Sequence, residues 1–125
     1  MTLVLDAGAL VAVDRGHRET SALLKRELLA RRLPRTHGGI VGQVWRGSAK
    51  QASLARLLSA LDVHPLDEDL GRRAGVLLAI TKTRDVVDAA LVLLARDGDT
   101  ILTSDPKDVA LLAAAADLHV DVARV

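Results

Sequence analysis

The chain predicts an α/β fold, a three-layer α/β/α sandwich built on a mainly parallel sheet of about five strands. Two patterns lead there. Short apolar runs without polar alternation, the mark of strands buried on both faces, are separated by longer stretches of helical periodicity. The three prolines, Pro34, Pro65 and Pro106, fall where elements change. One or two helices between successive strands imply parallel pairing through right-handed crossovers.

Leu3-Val4-Leu5 is the first strand and stops at Asp6, with a short helix following from Ala7 to Val13. From Arg18 to about Arg32, Ala22, Leu23, Leu24, Leu28 and Leu29 recur at helical spacing among charges and predict an amphipathic helix. Pro34 to His37 is the second strand. Gly38 to Gly47 and Gln51 to Leu61 predict two helices, and Asp62 to Leu66 the third strand. Asp67-Glu68-Asp69 places acids where a helix dipole favours them, ahead of a core face of Leu70, Ala74, Leu77 and Leu78. Asp85 is a candidate N-cap for a helix running to about Arg96, closed by Gly98. Thr100 to Thr103 is the fourth strand, Asp105-Pro106 opens a helix to about Ala116, and His119 to Ala123 is the last strand.

At 125 residues, half of them hydrophobic and 1% aromatic, the chain is expected to be a single domain with a core of Leu, Val, Ala and Ile. Without cysteine it has no disulfide, thiolate metal site or cysteine nucleophile. The start lacks a basic segment and meets Asp6, so no signal peptide is expected, and no apolar run approaches the ~20 residues that span a bilayer. A cytoplasmic protein without membrane association is the expectation. A formal net charge of +1 names no partner. Thirteen of the sixteen acids are Asp and thirteen of the seventeen basic residues are Arg, which suits metal ligation, capping and phosphate recognition as well as a codon bias.

Ligands of open parallel sheets bind beyond the carboxyl ends of the strands, where the strand order reverses. Asp6 and Asp105 each follow a buried-looking strand, although each also has a capping explanation. Asp88 is the lone charge in a run from Val86 to Ala95 that is apolar on every other helical face, so its carboxylate is expected to be mostly buried. Pairing with Arg84 or a role in the first helical turn are the alternatives to a metal. Three carboxylates gathered at one cleft repel unless cations hold them. Four scattered histidines and no cysteine disfavour zinc, and oxygen ligands point to Mg²⁺, with Mn²⁺ the second choice.

Four segments, Leu3-Val4-Leu5-Asp6-Ala7-Gly8-Ala9-Leu10, Val41-Gly42-Gln43-Val44-Trp45-Arg46-Gly47, Asp85-Val86-Val87-Asp88-Ala89 and Thr103-Ser104-Asp105-Pro106-Lys107-Asp108, resemble in order and spacing the PIN-domain nucleases, in particular the small VapC-type toxins of bacterial toxin–antitoxin pairs. The resemblance covers the whole chain. It implies a PIN-like fold, an endoribonuclease activity and a Mg²⁺-binding quartet falling on Asp6, Gln43, Asp88 and Asp105, with Asp108 as an auxiliary ligand. Gln43 departs from the family, which usually has Glu there; an amide can still accept or relay a water but carries no charge. The resemblance further implies an antitoxin whose C-terminal segment lies across the site, and a homodimer. A groove between the Arg18–Arg32 helix and the helix from Gly38 would receive such a segment. Arg46, Lys50, Arg84 and Lys107 are the candidates for RNA phosphate contacts, each equally explained as solvated charge. Thr103 or Ser104 could bond a ligand carboxylate or a phosphate. Trp45 reads as a core or interface residue more than as a stacking platform. Two further readings stay open: a binding module in which Gln43 has cost the metal site, and, more remotely, a phosphoacceptor domain using Asp6 or Asp105.

Overall fold

The computed structural model describes residues 1–125. Its five strands, β1 (Leu3–Leu5), β2 (Arg35–His37), β3 (Asp62–His64), β4 (Thr100–Thr103) and β5 (Asp121–Arg124), pair in parallel in the order β3-β2-β1-β4-β5. Seven α-helices connect them: α1 (Ala7–Asp14), α2 (Arg18–Leu29), α3 (Gly38–Val44), α4 (Ala52–Ala60), α5 (Glu68–Thr81), α6 (Val86–Val92) and α7 (Pro106–Ala115). The chain steps from β1 to β2 to β3 in one direction, then returns past β1 to β4 and β5. Right-handed crossovers therefore put α1 to α4 on one face and α5 to α7 on the other. The packing agrees, with α1 against α2, α3 and α4, and α5 against α6 and α7. This is the α/β/α sandwich the sequence predicts, with a fully parallel sheet.

Central β1 is buried along its length, as its unalternating Leu-Val-Leu requires. It belongs to one hydrophobic cluster with Ala9, Leu10, Ile40, Leu54, Leu91 and Ile101, none of them accessible to solvent. Aliphatic side chains do all of this packing. No helix is long and apolar enough to cross a membrane.

Element ends shift where local bonding intervenes. The helix from Asp85 stops at Val92 because Leu94 and Ala95 bond three residues back and the Arg96 N–H turns to the Asp99 carboxylate. The Arg18 helix stops at Leu29, and Arg31 then takes a left-handed φ of 59°. The last strand starts at Asp121 because the carbonyl and N–H of His119 are held by Gly98 and Asp97.

At the amino end of the sheet, Asp99 accepts bonds from the N–H groups of Thr2 (3.0 Å) and Arg96 (2.8 Å) and from the Arg35 guanidinium (2.7 Å). Burial alone would raise this carboxyl. The two N–H donors and Arg35 outweigh burial and hold it below the usual range. One side chain thus joins the starts of β1, β2 and β4.

Candidate functional site

The strand order reverses at β1, between β2 and β4, and Asp6 leaves β1 at that carboxyl end. Its Oδ1 accepts the Ala9 N–H at 2.9 Å, capping α1, and its Oδ2 accepts the Ser104 N–H at 3.0 Å, across from β4. Capping and a place in the site are therefore compatible, because the two oxygens divide the work. At Gly8 an added Cβ would lie 2.6 Å from both Cβ and Oγ of Ser104, so close approach of the two strand ends needs glycine.

Asp105 follows β4 at the N-cap position of α7, yet its side chain makes no capping bond, contrary to what Asp-Pro suggests in sequence. Its own N–H is bonded to Thr103 Oγ1 at 2.9 Å, and the carboxylate stays exposed. Exposed Asp108 shares a hydrogen bond with Asp105; that bond and the Asp105 charge raise its carboxyl. Asp85 does cap α6, accepting the Asp88 N–H at 3.0 Å. Asp88 is largely but not fully buried, in the first turn of a seven-residue helix. It forms no ion pair with Arg84; the five ion pairs of the structure lie elsewhere.

These carboxylates act on one another. Burial first, then the charges of Asp85, Asp6 and Asp105 and a hydrogen bond with Asp85, push the Asp88 carboxyl up to about 6. No three of the acids and histidines are close enough to form a preformed cation cage. An open set of oxygen donors nevertheless suits Mg²⁺ or Mn²⁺, since Mg²⁺ keeps several waters and takes one or two carboxylates together with substrate phosphate. On donor chemistry, Asp6, Asp88 and Asp105 fit such an ion.

The other expected residues are placed unevenly. Gln43 is exposed in the last turn of α3, and no hydrogen bond links its side chain to the acids. Arg46 folds its guanidinium onto the carbonyls of Gly42 (3.2 Å), Gln43 (3.0 Å) and Trp45 (2.7 Å), closing the carboxyl end of α3. Lys50, Arg84 and Lys107 are exposed and form no ion pair. Trp45 is 38% exposed and is not a core residue.

The apolar groove on α2 has a different second wall from the expected one. A cavity of about 300 Å³ is lined by Val13 of α1, by Leu24, Leu28 and Leu29 of α2, and by Leu57 of α4. The short α3 packs its buried Ile40 inward, and α4 supplies the wall instead. A second cavity, about 320 Å³, lies between the start of α2 and β5. Neither contains the acids, which occupy an open shelf at the strand ends.

His37 escaped sequence reasoning. It ends β2 with no solvent exposure, its Nε2 2.9 Å from the Val87 carbonyl and its Nδ1 accepting the Gly39 N–H at 3.0 Å. These partners require the neutral ring protonated on Nε2, and burial, against the Val87 bond, lowers its basicity. The only sequence signal was a histidine at a strand end before Gly-Gly. Comparison of the chain with models of known families and with curated proteins finds no match.

Proposed function

We propose that the chain is a Mg²⁺- or Mn²⁺-dependent endoribonuclease of the PIN, VapC-toxin type, hydrolysing RNA phosphodiester bonds in the cytoplasm. The observation that carries this reading is the place of Asp6 and Asp105 at the ends of adjacent β1 and β4, where the strand order reverses, with Asp88 near enough that its carboxyl is raised by burial first and then by the charges of Asp85, Asp6 and Asp105. Asp6, Asp88 and Asp105 would hold the cation, with Asp108 beside Asp105 as an auxiliary group. A bound ion would supply activation of a water and neutralisation of charge on the phosphate. Asp6, fixed by Ala9 and Ser104, presents a pre-oriented carboxylate. Gln43 accepts or relays a water through its amide oxygen. Arg84, Lys107 and Lys50 attract the RNA backbone, while Arg46 contributes mainly by closing α3. The groove among α1, α2 and α4 suits an apolar helix face of an antitoxin, and a homodimer is the proposed assembly.

The test is RNA cleavage in Mg²⁺ and then Mn²⁺ by wild type and by Asp88→Asn prepared identically. Cleavage that needs the metal and falls at least a hundredfold in the variant supports the nuclease. Equal inactivity across structured and unstructured RNAs refutes it and favours a second reading, a binding module, for which the uncharged Gln43 and the absence of a preformed cage speak. Calorimetry with Mn²⁺ separates the two: an active-type site binds the ion, loses it in Asp88→Ala and binds it more tightly in Gln43→Glu.

A further inference from the structure

The peptide unit between Val87 and Asp88 is held at both ends. Its carbonyl lies 2.9 Å from His37 Nε2, and its N–H donates to Asp85 Oδ1 at 3.0 Å. His37 belongs to another part of the fold, at the end of β2 and the N-cap of α3, where its Nδ1 receives the Gly39 N–H. The ring thus spans from the helix carrying Gln43 to the helix carrying Asp88. Space for it is built in. A Cβ at Gly39 would stand 2.9 Å from His37 Cε1 and 3.1 Å from its Nδ1, although Gly39 has no left-handed φ that would itself require glycine.

We propose that His37 is a positioning residue, whose imidazole bridges α3 and α6 and, with Asp85, clamps the Val87–Asp88 peptide so that Asp88 projects toward Asp6 and Asp105. Its importance for a cation rests on the metal-site reading above; the clamp itself does not. Seven-residue α6 has only its first turn at the shelf, so a rotation of that one peptide would swing the Asp88 carboxylate away. Asp85 alone restrains the N–H side. His37 supplies the long-range restraint, from a residue fifty positions away in sequence.

Two substitutions separate the ring's two bonds. His37→Asn keeps a capping acceptor for Gly39 but is too short to reach Val87, whereas His37→Gln carries an N–H of suitable reach and loses the cap. The measurements are amide hydrogen exchange at Asp88 relative to Leu91, Mn²⁺ affinity by calorimetry and thermal midpoint, with Leu54→Ala as a destabilised control. The clamp predicts that His37→Asn exchanges the Asp88 amide at least tenfold faster and binds Mn²⁺ at least fivefold more weakly. His37→Gln and Leu54→Ala should stay near wild type in both, whatever their midpoints. Gly39→Ala, which keeps the imidazole but crowds it, should shift both readouts in the direction of His37→Asn.

Exchange and affinity that merely follow the thermal midpoint across all variants overturn the proposal, as does unchanged Asp88 exchange in both His37→Asn and Gly39→Ala. Faster exchange with unaltered Mn²⁺ affinity refutes positioning of the site. A wild type that binds no Mn²⁺ refutes the metal reading instead, and the exchange comparison still decides whether the clamp exists.

Discussion

Replacing Asp88 by Asn should stabilise the metal-free protein, because the native state holds this carboxylate at a disadvantage. Its carboxyl rises from the usual 3.8 to about 6, through burial and the charges of Asp85, Asp6 and Asp105. Fully converted, a rise of that size opposes the ionised form by roughly 3 kcal/mol. The side chain is only partly buried, and screening by the water that reaches it leaves about 1–2 kcal/mol. The sign follows from proton binding. Between 3.8 and about 6 the folded protein binds more protons at Asp88 than the unfolded chain, so wild type loses stability as pH rises through this window. Below it, both states are protonated and the penalty is absent. Urea unfolding in EDTA should therefore show Asp88→Asn close to wild type at pH 4 and more stable by about 1–2 kcal/mol at pH 7.5. Mn²⁺ added at pH 7.5 should raise the wild-type midpoint and leave the variant nearly unmoved, since binding to the native state alone stabilises it. A variant that gains no stability between pH 4 and 7.5 would refute the electrostatic reasoning. A metal response equal in the two proteins would refute the assignment of Asp88 as a ligand.

Gly8→Ala should destabilise by about 1–3 kcal/mol, because its methyl meets Ser104 at 2.6 Å, and should weaken Mn²⁺ binding by parting Asp6 from the end of β4. Thermal melts and calorimetry read both effects. Arg35→Met leaves Asp99 buried without its cation and should cost about 3 kcal/mol in urea at pH 7. Since Asp99 titrates below the usual range, its contribution is present above pH 3.8 and lost as pH falls toward and below that value; the variant's cost should shrink with it. Leu54→Ala, at a position with no solvent exposure, should cost about 2–5 kcal/mol by urea midpoint with Mn²⁺ affinity unchanged.

The places of several acids in the fold were legible because residue type and chain position coincide there. Asp6 and Asp105 follow apolar runs that become the adjacent strands β1 and β4, and Asp85 caps α6 as its position suggests. Asp-Pro is a strong local capping signal, yet the Asp105 N–H is drawn to Thr103 and its carboxylate makes no capping bond. Arg46 and Trp45 were equally illegible, since the fate of their side chains depends on where α3 stops. His37 had no signature for its second role, because the cap on Gly39 is local whereas the Val87 carbonyl is brought to its ring by another element.

The amino-acid sequence by itself determined the parallel α/β architecture, because strand and helix periodicities and proline boundaries are local properties. It also determined the oxygen-rich, cysteine-free donor set. Tertiary structure alone decided that Asp88 is partly buried and raised to about 6, that Asp6 divides its oxygens between α1 and β4, that α4 rather than α3 walls the groove, and that His37 grips α6. Each of these depends on distances between residues far apart in the chain, set when the strand order reverses around β1.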